Sequence, residues 1–151
     1  PVVVSRAGVS GPLAAMALTE YALGIFTYLR TAGVLDPIIV HGADNSLVTP
    51  SNPAAAGEVV VIYATGVGSF DNPPATGAAA AADPLARSRV TPVITVGGRT
   101  AQVLFAGLTP GYVGLVQINV TLPQSLPAGT TLPLAITFGA SSTPPVDLYV
   151  R

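Results

Sequence analysis

The sequence contains no cysteine, lysine or tryptophan, and each absence excludes a class of feature. Without cysteine the chain has neither a disulfide framework nor a thiol site. Without lysine it cannot form the lysine-to-asparagine isopeptide crosslink that strengthens some surface sandwiches. Stability must therefore come from core packing and strand pairing. A length of 151 residues suffices for this, since a domain of about 150 residues buries roughly 70% of its unfolded surface.

Charge is scarce as well. Charged residues make up 9% of the chain, whereas about 25% is typical of soluble domains, and the formal net charge is −1 at pH 7. The six basic residues are all arginine and form no basic stripe, so we expect no nucleic-acid partner. Only Arg87 and Arg89 lie close together, and we interpret them as solvated residues beside a strand.

Two interpretations account for the low charge: a membrane segment, or a surface covered by neighbours. The longest apolar stretch, residues 11–29, is interrupted by Pro12, Glu20 and Gly24, which argues against a membrane span. We therefore expect packing against copies of the chain or adjacent modules. The sequence opens at Pro1 on an apolar segment without a preceding basic region, so no signal peptide is recognisable, and we interpret the chain as a mature or excised product.

Short runs of β-branched and aromatic residues, separated by Gly, Pro and Asn clusters, dominate the C-terminal two thirds. Residues 58–64 are almost continuously apolar, which predicts a central strand buried on both faces. Gly97-Gly98 predicts a two-residue hairpin turn between strands at 90–96 and 100–105.

Residues 113–122 alternate between apolar and polar side chains, which predicts a strand with one buried and one wet face. Strands at 132–138 and 145–150 close the domain, and residues 71–86 form a long loop with room for a short helical turn. Strands at this spacing predict an all-β, immunoglobulin-like β-sandwich of about seven to nine strands. We assign it to residues 24–151.

Residues 1–23 form an additional segment that resembles the closing strand pair. When Gly8 is aligned with Gly139, the apolar residues 1–6 fall on the apolar residues 132–137. A sandwich needs only one closing pair. The segment is therefore interpreted either as a donor strand for another copy or as the tail of a preceding module.

Strand addition to a neighbour's sheet edge would bury the apolar side chains of this segment. We predict four anchors of such an assembly interface: Val2, Val4, Leu13 and Met16. The conformation of residues 13–30 is ambiguous, because their pattern also fits a helix, and we favour strand.

Three stretches are closely similar to the Solibacter-type C-terminal domain of acidobacterial secreted proteins: residues 50–68, 96–123 and 127–139. Gly24-Ile25-Phe26-Thr27 also resembles the entry motif of that family, with Leu23 in place of its usual proline. The resemblance implies a β-sandwich module of large exported proteins. It implies no activity, because the family supplies no catalytic residues.

No catalytic constellation is recognisable. His41 is the single histidine and lies in a segment with turn character, and there is no G-x-S-x-G elbow. We expect His41 to be a surface turn residue and the chain not to be an enzyme. Gly66-Val67-Gly68 lacks the third glycine of a dinucleotide loop and is interpreted as a tight turn.

No metal or cofactor is predicted. Zinc is disfavoured by the absence of cysteine and the single histidine. Calcium would require clustered oxygen ligands, but the loop aspartates lack D-x-D-x-D spacing and are expected to stabilise turns. These aspartates are Asp36, Asp44, Asp71 and Asp83.

The leading hypothesis is a structural subunit or module of an extracellular or cell-surface bacterial assembly, with copies of itself as partners, in a filament built by strand donation. The alternative is an adhesive or carbohydrate-binding module with a surface glycan as partner. Its candidate aromatic residues, for most of which core packing is the favoured interpretation, are Tyr28, Tyr63, Phe70, Phe105, Tyr112 and Tyr149.

Overall fold

The computed structural model describes residues 1–31 and 33–151, which form thirteen β-strands and no helix. The all-β prediction is confirmed. The strands are β1 Ser5–Arg6, β2 Val9–Ser10, β3 Gly24–Ile25, β4 Thr27–Thr31, β5 Val34–Pro37, β6 Ile39–His41, β7 Val59–Thr65, β8 Val93–Val96, β9 Arg99–Leu108, β10 Val116–Thr121, β11 Thr130–Phe138, β12 Ser141–Ser142 and β13 Val146–Val150.

Nine strands form one antiparallel, curled sheet. Its order is β12-β11-β8-β9-β10-β7-β3, with β13 also pairing with β11 and β6 with β7. The sheet turns at the long strand β9, because residues 99–101 pair with β8 whereas residues 102–108 pair with β10. A register shift between Asn119 and Val120 accompanies this change of partner, as is usual where a sheet bends.

The core lies inside the curl and follows the period-2 pattern of the strands. Val116, Ile118 and Val120 of β10 are buried, and the residues between them are half-buried on the other face. β7 is buried between β10 on one side and β6 and β3 on the other. The strands predicted at 58–64 and 113–122 are therefore confirmed, although each is slightly displaced or shorter.

The hairpin predicted at Gly97-Gly98 is also confirmed. It joins β8 to β9, and the two glycines have φ values of 55° and 76°, which suit a two-residue turn.

Residues 71–86 form no named strand, as expected, and they contain no helical turn. The helix considered for residues 13–30 is wrong, because β3 and β4 occupy the second half of that segment.

Short strands cover the outer edges of the sheet. β11 is flanked by β13 and then by β12, in the same way that β7 is flanked by β6 and β3. Ala54 covers β13 in turn, since its N–H donates to the carbonyl of Tyr149 at 2.9 Å and its carbonyl accepts from Arg151 at 2.9 Å. Covered edges limit uncontrolled pairing between chains.

Candidate assembly interface

The first fourteen residues form a separate two-stranded hairpin outside the curled sheet. β1 and β2 pair around a turn at Ala7-Gly8, whose φ values are 51° and 78°. The pairing continues outward, because the N–H of Gly11 donates to the carbonyl of Val4 at 2.9 Å. It ends where Val2 and Ala14 exchange two backbone hydrogen bonds of 2.8 and 3.0 Å.

This hairpin reproduces the hairpin that β11 forms with β12 and β13, which we call the closing hairpin of the sheet. Each counterpart lies 132 positions later in the chain. The Ser5 and Ser10 hydroxyls lie 2.8 Å apart, and those of Thr137 and Ser142 lie 2.7 Å apart.

The backbone pairing of the two hairpins agrees as well. The bond from Gly11 to Val4 matches one of 2.9 Å from Thr143 to Ile136. The pair Val2–Ala14 matches the pair Leu134–Val146.

The alignment predicted from the sequence is wrong by one residue. It placed Gly8 on Gly139, whereas the hydrogen bonds place Gly8 on Ala140 and Ala7 on Gly139. A one-residue slip exchanges the two faces of a strand. In the observed register Val2 and Val4 correspond to inward-facing residues of β11.

The inward positions of the closing hairpin are buried, but their counterparts in residues 1–18 are not. Leu134, Ile136, Leu148 and Val150 are at most 2% exposed. The corresponding residues are Val2 at 46%, Val4 at 75%, Met16 at 64% and Leu18 at 96%. Residues 1–18, which comprise the hairpin and the four residues after it, therefore carry the apolar positions of a core-forming face without a core beneath them.

Three of the four predicted anchors lie on this face. Leu13, the fourth, is 71% exposed but corresponds to Pro145, which is exposed in the closing hairpin. Leu18 belongs to the face and was missed by the sequence prediction. The alternation of Met16 with Leu18 was the available signal.

Arg6 is the one departure from the apolar pattern. Its counterpart, Phe138, is fully buried and stacks on Tyr21 with ring centroids 6.2 Å apart. Arg6 is exposed. The two hairpins therefore share backbone register and four apolar inward positions, but differ at the fifth.

The segment after the hairpin is fixed to the sheet by two glycines. The N–H of Ala22 donates to the carbonyl of Gly66 at 2.9 Å, and a Cβ on Gly66 would lie 1.9 Å from the Ala22 carbonyl oxygen. A Cβ on Gly68 would lie 2.8 Å from the ring of Tyr21. Gly66 and Gly68 have φ values of 75° and 83°. Only glycine permits this contact without rearrangement.

A polar cluster joins β5 to β13, and it corrects the prediction for Asp36. Asp36 lies in a strand and is buried, not in a loop. Its carboxylate accepts from Arg30 at 2.5 Å and from the Tyr149 hydroxyl at 3.0 Å. The hydrogen bond to Asp36 raises the pKa of Arg30. Burial, together with the neighbouring Asp36 carboxylate, raises the pKa of Tyr149.

The prediction that His41 is a surface turn residue is wrong. His41 ends β6, is buried, and bonds through Nδ1 to a carboxylate oxygen of Glu58. Its Nε2 faces the carbonyl of Asn52 at 3.2 Å. Each ring nitrogen therefore faces an oxygen atom, one on the Glu58 carboxyl group and one on the backbone. The other Glu58 oxygen accepts from the N–H of Ala55 at 2.8 Å. Glu58 therefore links the His41 side chain to the backbone of Ala55.

One open apolar cleft is lined by aromatic residues. It measures about 310 Å³ and is lined by Phe26, Ile38, Tyr63, Tyr112 and Leu115. Tyr63 and Tyr112 were among the predicted sugar-binding candidates, and Tyr112 is 59% exposed.

The other candidate aromatic residues lie elsewhere. Phe70 packs half-buried against the core, and Tyr149 belongs to the Asp36 cluster. Phe105 is buried, and the exposed Arg87 guanidinium lies 4.9 Å from its ring centroid. Arg89 is also exposed and pairs with Asp71 at 3.3 Å. The two arginines thus contact different partners beside the sheet.

The fold is all-β, and residues 1–14 add an exposed hairpin that resembles the closing hairpin of the sheet. Comparison with family models, with curated proteins and with solved structures found no match. Within residues 1–31 and 33–151, no three histidine, aspartate or glutamate side chains are grouped to hold a metal ion. The same residues contain no helix with the length and hydrophobicity of a membrane span.

Proposed function

We propose that this chain is a structural module of an extracellular or cell-surface bacterial assembly, in which modules of this fold are joined through residues 1–18, the exposed hairpin and the four residues after it. One observation carries the proposal. Residues 1–14 have the register of the closing hairpin, yet Val2 and Val4 are exposed, and so are Met16 and Leu18, which follow the hairpin at the same 132-residue spacing.

Exposed apolar surface of this kind favours a protein interface. Pairing of its strands with another sheet would satisfy backbone groups and bury the four side chains together. The scarcity of charge agrees with a surface that neighbours cover. Under this proposal the curled sheet is an immunoglobulin-like sandwich, with β9 shared between its two layers. The resemblance to the Solibacter-type domain supports export.

The proposal is tested by sedimentation velocity on the intact chain over a range of concentrations. The test variant combines Val4→Thr, Met16→Gln and Leu18→Gln. The matched control combines Val3→Thr, Val9→Thr and Leu13→Gln, which remove similar apolar surface from other positions of the same hairpin. We expect the intact chain and the control to associate and the test variant to sediment as a monomer. Equal association of both variants would refute the proposal.

The aromatic cleft supports a second candidate function, binding of a carbohydrate. Phe26, Tyr63 and Tyr112 offer apolar ring surface, on which a sugar ring can stack, with tyrosine hydroxyls that can bond to its polar groups. A glycan array would test it with the intact chain, Tyr112→Ala and, as the control outside the cleft, Phe70→Ala. Binding that is lost only in Tyr112→Ala would favour this function, and absence of binding by the intact chain would exclude it.

A further inference from the structure

We propose that the hairpin of residues 1–14 docks on the outer edge of β3 in a second copy of this chain and covers the apolar groove beside that edge. The inference rests on the proposed function and names the surface that receives the hairpin. Hairpin and groove are both uncovered in this structure, so every copy offers a donor and an acceptor. The groove measures about 240 Å³ and is lined by Leu23, Gly24, Ile25, Thr143, Pro144 and Val146.

The groove is the open part of the seam between the two ends of the curled sheet. β3 ends the sheet on one side, and β12 and β13 end it on the other. Tyr21 stacks on Phe138 at one end of the seam. Arg30 donates to the Tyr149 hydroxyl at the other end, at 3.4 Å. The two sides of the seam therefore run in the same direction, and β3 leads from the first contact towards the second.

The side chains of the groove belong to the core but are incompletely covered. Leu23, Ile25 and Val146 pack against the core cluster and remain half-buried. The six residues that line the groove are all uncharged. Aliphatic side chains docked there would leave water together with the groove, which favours association.

β3 offers free backbone groups beside the groove. The N–H of Phe26 donates to the carbonyl of Tyr63 at 3.0 Å, and the N–H of Ala22 donates to β7's end in the same direction. Because backbone groups alternate in direction along a strand, those of Leu23 and Ile25 point away from β7. They have no backbone partner within residues 1–31 and 33–151. The outer edge of β3 is therefore open to an incoming strand.

The outer edge of β1 carries matching groups. Val2 exchanges two hydrogen bonds with Ala14, and Val4 accepts one from the opposite arm of the hairpin. The backbone groups of Val3 and Ser5 alternate with these and point outward. In the part of the chain that the structure describes, these outward groups are unpaired. Free positions therefore recur at every second residue on β1, as they do on β3.

Parallel pairing of the two edges turns the valines into the groove. In a parallel ladder the free groups of β1 would bond to Ile25 from both sides, which places Val4 beside Ile25. Val2 then lies beside Leu23. Neighbouring residues in a sheet share a face, so both valines would point towards the core with the groove residues. Antiparallel pairing of the same groups would turn both valines outward.

The charges agree with the parallel direction. Arg6 is the one charged side chain within residues 1–19, and Asp147 is exposed directly after Val146 of the groove. Neither forms an ion pair with any residue that the structure describes. Arg6 would lie about 7 Å beyond Val4 along the docked strand, in the direction that leads from Val146 to Asp147. An ion pair between the copies would fix the register of docking more than its affinity.

This contact leaves the closing hairpin of every copy in place. β8 stays paired with β9 and β11, because the hairpin adds at the opposite end of the sheet. Donor and acceptor are different surfaces of one chain. A contact between them passes from copy to copy and builds an open row of modules.

Disulfide formation tests the register, because the chain has no cysteine of its own. Val4→Cys and Ile25→Cys are prepared as separate full-length proteins, mixed and oxidised, and the covalent products are identified by mass spectrometry. We expect a heterodimer. The matched control replaces Val4→Cys by Val3→Cys, whose side chain faces away from Ile25, and is expected to give about tenfold less heterodimer. Equal or reversed yields, or a Val4→Cys homodimer that exceeds the heterodimer, would overturn the docking site.

Charge reversal tests the same register without altering the groove. Arg6→Asp and Asp147→Arg are each expected to weaken association about two- to fivefold in sedimentation velocity. The chain with both changes should regain the association of the intact chain. Asp83→Arg changes another exposed acid and serves as the control, with no effect expected. A double variant that associates no better than the single variants would contradict the ion pair and the register.

The two tests separate this inference from the proposed function. Association that is lost in the triple variant Val4→Thr, Met16→Gln and Leu18→Gln supports the proposed function alone. If that result is accompanied by no heterodimer and no effect of charge reversal, the proposed function stands and the β3 edge is the wrong docking site. If the intact chain stays monomeric at every concentration, both are wrong.

Discussion

Tyr21 stacks on Phe138 with ring centroids 6.2 Å apart and an interplanar angle of 26°. Tyr21 follows the exposed hairpin by three residues, and Phe138 ends the strand that closes the core. The same segment is held by the hydrogen bond from Ala22 to Gly66. The exposed hairpin therefore projects from a fixed point at one end of the curled sheet.

Gly66→Ala tests this attachment. We expect it to destabilise the fold by about 1–3 kcal/mol, because the new Cβ meets the Ala22 carbonyl oxygen at 1.9 Å and the residue has a φ of 75°. Gly98→Ala is the matched control, since Gly98 has a φ of 76° but a Cβ added there would have no atom within 4 Å. Urea denaturation measures both. Equal losses would show that the Ala22 contact contributes nothing beyond backbone strain.

The hydrogen-bonded cluster of Arg30, Asp36 and Tyr149 predicts a loss of stability when one of its side chains is shortened. Asp36→Ala removes the acceptor of both Arg30 and Tyr149, and we expect a loss of about 2–4 kcal/mol. Tyr149→Phe removes one hydrogen bond and is expected to lose about 1 kcal/mol. Denaturant unfolding of the two single variants and the double variant measures their coupling. Strictly additive losses would contradict a shared network.

Stability is also expected to fall at alkaline pH. Burial and the neighbouring Asp36 carboxylate raise the pKa of the Tyr149 hydroxyl above its ordinary value near 10. Its folded pKa is then higher than its unfolded pKa. The contribution to stability is therefore complete below about pH 10 and is lost as the pH rises through the folded pKa. Unfolding free energies at increasing pH should fall less steeply in Tyr149→Phe. An identical fall in both proteins would contradict this assignment.

The contact between His41 and Glu58 predicts that their contributions to the free energy of unfolding are coupled. Each single change, His41→Gln or Glu58→Gln, is expected to destabilise by about 1–3 kcal/mol, because it removes one partner of the hydrogen bond between the buried His41 and the half-buried Glu58. The double variant should lose less than the sum of the two. Thermal or denaturant unfolding of the three variants decides this. A double variant that loses the full sum would show that the two residues act independently.

Strand positions were predictable where the local pattern is strong. Residues 58–64 and 113–122 show their strand character through apolar runs or alternation, and Gly97-Gly98 encodes its turn. Such signals depend only on neighbours along the chain.

Long-range partners were not predictable in this way. His41 lies beside Gly42 and Asp44 and therefore resembles a turn, but its environment is set by Glu58, seventeen residues away. Asp36 is buried by a contact to Tyr149, which is 113 residues away. Sequence patterns within a short window carry no information about such contacts.

The repeated hairpin was detectable, but its register was not. Matching Gly8 to Gly139 aligns identical residues, whereas the structure aligns Ala7 with Gly139. Ala7 has a φ of 51° and Gly139 a φ of 56°. An alanine thus adopts the conformation for which the closing hairpin uses glycine, and residue identity misled the alignment.

Deletion of residues 1–18 from the intact chain is the most direct test of assembly through this segment. Sedimentation velocity and electron microscopy would compare the two proteins at matched concentrations. We expect the intact chain to associate and the deleted chain to be a folded monomer that keeps the β-sheet circular dichroism of residues 19–151. An intact chain that remains monomeric at every concentration, or association that survives the deletion, would contradict it.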